Sequence, residues 1–436
     1  MPLKAGAATA ADEPPAGGQV AAAETWSLHA QATTVLQFHP GFRSDYAGAN
    51  SLYAGNSGRE TFDLGLYAGV RLWHGAEVYL NPEIDQGFGL SNTIGLAGFS
   101  SGEAYKVGAR DPYYRLPRWF IRQTFAISEE QEPVAAGPNQ LAGAYPTQAI
   151  VLTLGKFSVV DLFDTNRYAH DPRADFLNWA VIDAGAFDYA ADAWGYSYGA
   201  AAEWDGVSRS ARVGTFTLSR VPNSRELDPS FKQFALIGEV EQRFATGGLP
   251  GKVRLLAYAN RGRMARYDDA VAFAAASSAG STPETVPVRR VAFRPGMSLN
   301  VEQELPNQVG VFARASANDG SHEAFEFTEI NRSLSGGVSL DGTAWGRGGD
   351  AAGFAFAVNG LSSAARRYFA AGGMGILIGD GTLRDYGLEK ILETYYSRNL
   401  NNDWTVSADV QYIEHPAYNR DRGPVTVFGV RIHWVH

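Results

Sequence analysis

The chain has 436 residues, 45% hydrophobic, 12% aromatic and only 19% charged, with a net charge of −9 and no cysteine. That charge excludes the basic footprint of a nucleic-acid partner, and the missing thiols exclude disulfides, cysteine metal sites and thiol catalysis. No run of residues approaches the ~18 consecutive apolar positions of a membrane helix.

Residues 1–24 are rich in alanine and other small residues and lack an apolar signal core, so they are expected to be a disordered lead or the remnant of a signal peptide. From there to the end, segments of about ten residues alternate apolar and polar side chains with period two. The first covers 26–38, with Leu28, Leu36 and Phe38 on one face. In 61–73, Leu64, Leu66, Val70 and Leu72 face one way and Asp63, Tyr67 and Arg71 the other. His74-Gly75 turns the chain into 76–88, where Val78 and Leu80 alternate with Glu77, Tyr79 and Asn81; Glu83 and Asp85 prolong the polar line. In 116–128, Trp119, Ile121 and Phe125 alternate with Arg118, Arg122 and Thr124. Further segments are 150–157, 194–204, 211–221, 231–244, 251–260, 290–304, 308–318, 332–341, 352–359, 386–398, 403–413 and 424–435, about sixteen in all.

The connections alternate in length. Short ones (74–75, 205–210, 245–250, 305–307 and 399–402) interleave with long ones (40–60, 89–115, 158–193, 261–289 and 360–385). Short periplasmic turns and long extracellular loops in strict parity are the mark of an outer-membrane barrel. A spanning sheet must close so that each backbone polar group is paired, and each strand then needs only one apolar face. The low mean hydropathy, −0.19, fits that requirement. The expected fold is therefore all-β, a transmembrane antiparallel barrel of about 16 strands over 25–436, in the bacterial outer membrane. A soluble β-rich binding protein is the competing architecture. One connection breaks the parity, 129–148, long for the inner side.

The stretch 158–193 is crowded with Asp, Asn, Arg and aromatic residues. Loops of this length are usually functional, and this one is expected to fold into the barrel mouth and narrow it. Lys156 just before it and its Asp161, Asp164, Asn166, Arg167 and Trp179 would join Arg71, Glu77, Asn81, Glu83, Arg118 and Arg122 of the early strands as a pore eyelet, with Trp or Tyr as a stacking plate. Aspartates 161, 164, 171, 175 and 183 raise the question of calcium, but their spacing fits no EF-hand, so paired carboxylates are expected, with no metal and no cofactor. The run Gly195-Tyr196-Ser197-Tyr198-Gly199 matches a nucleophile elbow only on paper, since it lies in an alternating run where no strand-to-helix turn is expected. No catalytic residue is expected. Trp26, Trp119, Tyr196, Trp204, Trp345, Tyr395 and Trp404 lie near strand ends and are candidates for interfacial girdles.

Several long motifs in order, QFHPGFRSDYAGANSL, RLWHGAEVYLNPEIDQGFGLSNTIGLAGFSSGEAYK, PRWFIRQTF, LGKFSVVDLFDTNRYAHDPRADFLNWA and DWTVSADVQYIEHPAYNRDRGPVTVFGVRIH, resemble the carbohydrate-selective porins of the OprB family. The resemblance runs from about Leu28 to the C-terminus and implies a sixteen-stranded barrel passing mono- or short oligosaccharides by passive diffusion. Its expected partners are sugar substrates, outer-membrane lipid and lipopolysaccharide and the barrel-assembly machinery, with no nucleic acid, as a monomer or trimer. The tail departs from the usual aromatic end: Phe428, Val430, Ile432 and Trp434 keep the alternation, but the last residue is His436. Alternative functions are a general or organic-acid-selective porin, or a loop-plugged barrel serving export or adhesion.

Overall fold

A computed structural model describes residues 23–104, 107–277, 280–327 and 329–436. Among these residues the strands are β1 (Trp26–His39), β2 (Ser57–Trp73), β3 (Ala76–Gly87), β4 (Ala109–Ala126), β5 (Gln131–Val134), β6 (Gly143–Pro146), β7 (Ala149–Phe157), β8 (Ser197–Asp205), β9 (Arg209–Thr217), β10 (Phe234–Thr246), β11 (Leu249–Met264), β12 (Arg290–Leu305), β13 (Val309–Asn318), β14 (Arg332–Asp341), β15 (Ala351–Gly360), β16 (Glu389–Asn399), β17 (Trp404–Glu414) and β18 (Val425–Val435). Sixteen of them form one closed antiparallel barrel, shut by the pairing of β1 with β18; β5 and β6 form a separate hairpin. Closure leaves no sheet edge, which is what a sheet in hydrocarbon requires.

The period-two pattern becomes the two faces of the wall. Leu28, Leu36, Phe38, Leu66, Val70, Leu80 and Trp119 point outward and are exposed. Asp63, Glu77, Asn81, Arg122, Glu239, Glu241, Arg254 and Arg431 point inward and are buried. That arrangement inverts a soluble sandwich, in which the apolar face is hidden; it suits a barrel bathed in lipid with a polar lumen. Trp26, Trp119, Trp204, Trp345 and Trp404 are exposed on the outside, as a girdle needs. Tyr196 and Tyr395 are not girdle residues: both are buried, Tyr395 edge-on to Phe176 of the long loop.

The connection parity persists. The inner turns are tight, with Gly75 and Gly248 in the left-handed region at φ 77° and 85°. The strand β4 begins at Ala109, earlier than the alternation indicates, and β8 begins at Ser197, so the long loop extends to residue 196. The elbow-like pentapeptide runs straight into β8 with no helix after it. Helices occur in the outer loops: α1 (Trp179–Ile182), α2 (Tyr267–Ser277) and α3 (Ser363–Ala370). α2 is alanine-rich with little periodicity, so propensity carries it, whereas α3 is amphipathic and buries Ala364, Ala365, Tyr368 and Phe369. The Ser362 hydroxyl caps α3 by accepting from the Ala365 N–H, and α2 meets α3 through Tyr267 and Tyr368, ring centres 4.7 Å apart.

The expected lead at 1–24 falls almost wholly outside the described residues. Glu24 is described, and its carboxylate accepts from the Ala142 N–H beside β6 at 2.8 Å.

Candidate functional site

The long loop between β7 and β8 crosses the lumen and is pinned to the wall on every side. Asp164 is fully buried: its carboxylate takes the Ala184 N–H at 2.6 Å, the Asn300 amide at 2.8 Å and Arg314 Nε at 3.3 Å. Arg314 itself donates to the carbonyls of Val181 (2.8 Å) and Ala169 (2.8 Å). The side chain of Arg431 on β18 donates to the carbonyls of Pro172, Ala174 and Asp175. Asp188 pairs with the buried Arg294 at 2.7 Å and accepts from the backbone of Phe325 and Glu326. These are wall groups reaching in and loop groups reaching out, so that each buried charge meets a counter-charge or backbone carbonyls. Within the described residues no group of three or more potential metal ligands clusters; Asp161, Asp164 and Asp188 are taken up by Arg118, Arg314 and Arg294.

Two glycines make room for the loop. A Cβ on Gly310 would lie 2.1 Å from the Tyr168 ring, and one on Gly353 would meet Phe176 and Tyr395. The loop also carries its own apolar centre. Trp179 stacks on Phe99 of the β3–β4 loop (5.4 Å between centroids) and on Phe327 (5.9 Å).

The seven residues Arg71, Glu77, Asn81, Glu83, Arg118, Arg122 and Asp161 gather on and beside the inner wall of β2, β3 and β4, while Lys156, near the outer end of β7, is in register with the outward-facing Trp119 and Tyr198 and is not on the lumen face. Arg118 grips Asp161 with two bonds, Nε at 2.8 Å and Nη2 at 2.7 Å. Its guanidinium carbon lies 4.9 Å from the centre of the Tyr196 ring. Lys156 donates to Asp192 Oδ2 at 2.9 Å. The other oxygen of Asp192 accepts from the backbone N–H of Trp194 (3.0 Å) and Tyr196 (3.2 Å), so this ion pair holds the aromatic segment in place. The Trp194 indole donates to the Tyr113 hydroxyl at 3.0 Å. Lower on the wall, Glu77 accepts from Tyr79 at 2.8 Å and from Arg71 at 3.2 Å, while Arg122 donates to the Asn139 carbonyl at 3.1 Å.

The other four expected residues stand elsewhere. Asp164 and Asn166 are anchors on the opposite wall, Asn166 donating to Asn300 at 2.8 Å. Arg167 lies near the inner end of β12, against Glu304 at 3.1 Å and largely exposed. Trp179 is buried, stacked on Phe99 and Phe327, and offers no open face to a solute.

Three groups at this wall escape a simple reading of alternation. Arg115 pairs with Asp85 and Glu83, with its guanidinium 5.1 Å from the Trp194 ring and 5.5 Å from that of Tyr196. Strict alternation from Arg118 sends Arg115 outward. The register shifts between Asn81 and Glu83, where Asn81 pairs with Arg118 but Glu83 with Arg115. That bulge inserts one residue and turns Arg115 in. Arg173, from the long loop, lies between Asp63 (3.4 Å), Glu83 (3.8 Å) and Glu103 (3.5 Å). Beside Arg115 and Arg118 lie Trp194, partly exposed, and Tyr196, buried against their guanidinium groups, whereas the expected stacking plate was Trp179. Only the aromatic-rich approach to β8 could have pointed to them.

A closed sixteen-stranded barrel with a lipid-compatible exterior, long outer loops and a polar lumen crossed by one of them is a bacterial outer-membrane channel of the porin class. The family model of the carbohydrate-selective porins, OprB family, matches residues 49–436. The chain belongs to that family. Among solved structures it is similar to OprB of Pseudomonas putida in its high-pH structure, with TM-score 0.70 and 17% identity over 94% of each chain. It is also similar to the outer membrane channel DcaP of Acinetobacter baumannii, with TM-score 0.51 and 9% identity over 94% of this chain and 97% of that one. No curated protein sequence matches the chain. Family and fold define a channel rather than an enzyme.

Proposed function

We propose that carbohydrates diffuse passively through this outer-membrane channel along the wall of β2, β3 and β4, with the eyelet at Arg118, Asp161, Arg115 and the partly exposed ring of Trp194, and with the buried Tyr196 ring supporting the arginines. The observation that carries the reading is the bidentate Arg118–Asp161 pair lying over Tyr196. A sugar is neutral, hydroxylated at its rim and apolar on its ring faces. A fixed cation–carboxylate pair offers donors and acceptors to the hydroxyls without favouring either ion, and an aromatic face takes the C–H side. Arg118 spends Nε and Nη2 on Asp161, which fixes its plane, while Nη1 makes only a long contact, 3.5 Å to the Tyr196 hydroxyl, that a solute hydroxyl can replace. Contacts this few bind weakly, which conduction requires. Lys156, Asp192, Asp164 and Arg314 act through the loop, holding these groups in position.

The working partners are sugars on the inside and outer-membrane lipid and lipopolysaccharide on the outside, with the barrel-assembly machinery during insertion; the protein works as a monomer or trimer, without cofactor or metal. The test is single-channel conductance of the detergent-purified protein in a planar bilayer. Open steps that glucose or a short oligosaccharide blocks in a dose-dependent way support the proposal. Steps indifferent to sugars but selective for organic anions point to the rival substrate class, and a folded protein that never conducts points to a plugged barrel.

A further inference from the structure

The connection between β4 and β7 is an inner one, yet it spans residues 127–148 and contains the β5–β6 hairpin. Every other described inner connection is far shorter. It does not hang into the periplasm. Its tip and second strand turn into the barrel, where Gln140, Leu141, Ala142 and Tyr145 are buried. The contacts there are with lumen-facing groups of β2, β3 and β4. Asn81 donates to Asn139 Oδ1 at 2.8 Å, Arg122 donates to the Asn139 carbonyl at 3.1 Å, and the Tyr145 hydroxyl donates to Glu77 at 2.5 Å and accepts from Arg71 at 3.1 Å. Glu24, just before β1, clasps the hairpin from the other side through the Ala142 backbone.

The depth of the tip matters. Asn81 is the register partner of Arg118, so Asn139 sits at the level of the eyelet arginine. The hairpin thus rises from the inner rim to the floor of the eyelet along the same wall. We propose that this hairpin is a second constriction, in series with the eyelet, and that it contacts the same hydroxylated solutes on their way out through Arg71 and the polar tip at 137–140. This rests on the carbohydrate-channel reading above. Arg71 suits the role because its side chain keeps about a quarter of its surface exposed, 26%, while Glu77 beside it is covered. In a merely structural turn, two residues would join β4 to β7, as they join β2 to β3. The additional residues bring polar groups into the path.

The chain has no cysteine, so one can be introduced alone. Gly137 is the place for it: an added Cβ meets nothing within 4 Å, and the backbone is not in the left-handed region, so Gly137→Cys preserves the fold. The variant is inserted in a planar bilayer and treated with a bulky charged methanethiosulfonate, with labelling followed by mass. The expected result is a fall in conductance by about half or more and weaker sugar block, with faster reaction from the periplasmic side. Complete labelling with unchanged current and sugar block, in a preparation whose wild type conducts and is sugar-blocked, overturns the second constriction alone. A wild type that never conducts overturns the channel reading and this proposal with it.

Discussion

Arg118 and Arg122 lie four residues apart on β4 and both face the lumen, yet they serve different structures. Arg118 is bound bidentately to Asp161 of the outer loop, whereas Arg122 donates to the Asn139 carbonyl of the inner hairpin and lies over the Tyr79 ring at 5.1 Å. One strand thereby connects the two ends of the pore, and its two arginines can be separated by experiment.

Arg118→Ala removes a bidentate charge-assisted contact and leaves Asp161 without its main partner. Such bonds are worth about 1.5–3 kcal/mol, so sugar block weakens roughly tenfold or more while the barrel still inserts. Arg122→Ala leaves the Arg118–Asp161 pair intact and changes conductance more than sugar affinity. Titrated sugar block of both single variants and the double variant checks this. Equal affinities throughout remove the arginines from the eyelet.

Trp194→Ala removes the open aromatic face and Tyr196→Ala the buried ring that supports Arg118, whereas Tyr196→Phe keeps that ring. Sugar affinity is expected to fall several-fold with either alanine and to survive in the phenylalanine variant. Removal of Trp179, by contrast, opens a cavity among Phe99 and Phe327, at a cost of about 3–5 kcal/mol. It shows as loop proteolysis and noisy current rather than as a clean affinity change. Limited proteolysis beside bilayer recording distinguishes the two outcomes.

Arg314→Ala strands the buried Asp164 carboxylate and frees the carbonyls of Val181 and Ala169. Breaking a buried pair on one side costs about 3–5 kcal/mol. Because the barrel closes through its own ladder, that loss falls on the loop. The expected phenotype is a larger, less selective conductance with the heat-resistant barrel band on electrophoresis preserved. A wild-type conductance would mean that the loop is held without Arg314.

The long loop carries a pH dependence of its own. Burial pushes the Asp183 carboxyl up to about 8, helped by nearby Asp164 and opposed by Arg314. Its Oδ1 is 3.7 Å from Nδ1 of His170, which burial holds below its ordinary value. The folded loop keeps a proton on Asp183 that the unfolded chain gives up near the ordinary carboxylate value. Loop stability from this group is thus full in acid and lost as pH rises through about 8. His170 has the opposite sign and acts only below its ordinary value, about 6.5. Between pH 6.5 and 8.5 the wild-type loop therefore becomes easier to cleave, and Asp183→Asn flattens the change. Proteolysis rates across that range decide it; identical slopes would place the dependence elsewhere.

The alternation of side chains determined the two faces of the wall. A soluble sheet would share that pattern; the strict parity of short and long connections, the number of strands and the low charge were what pointed to a closed sheet in lipid. Strand number, most boundaries and the wall residues Arg71, Glu77, Asn81, Arg118 and Arg122 follow from that local period. What the period cannot carry was decided by tertiary structure. The bulge at Asn81 and Glu83 turned Arg115 inward, because register depends on the partner strand. The path of the long loop sent Asp164 and Asn166 to the far wall and buried Trp179 against Phe99 and Phe327, leaving Trp194 and Tyr196 beside the arginines. The one connection that broke the length rule became the hairpin beneath the eyelet. Loops have no repeat from which to read direction; each buried charge in them goes where the fold places its counter-charge.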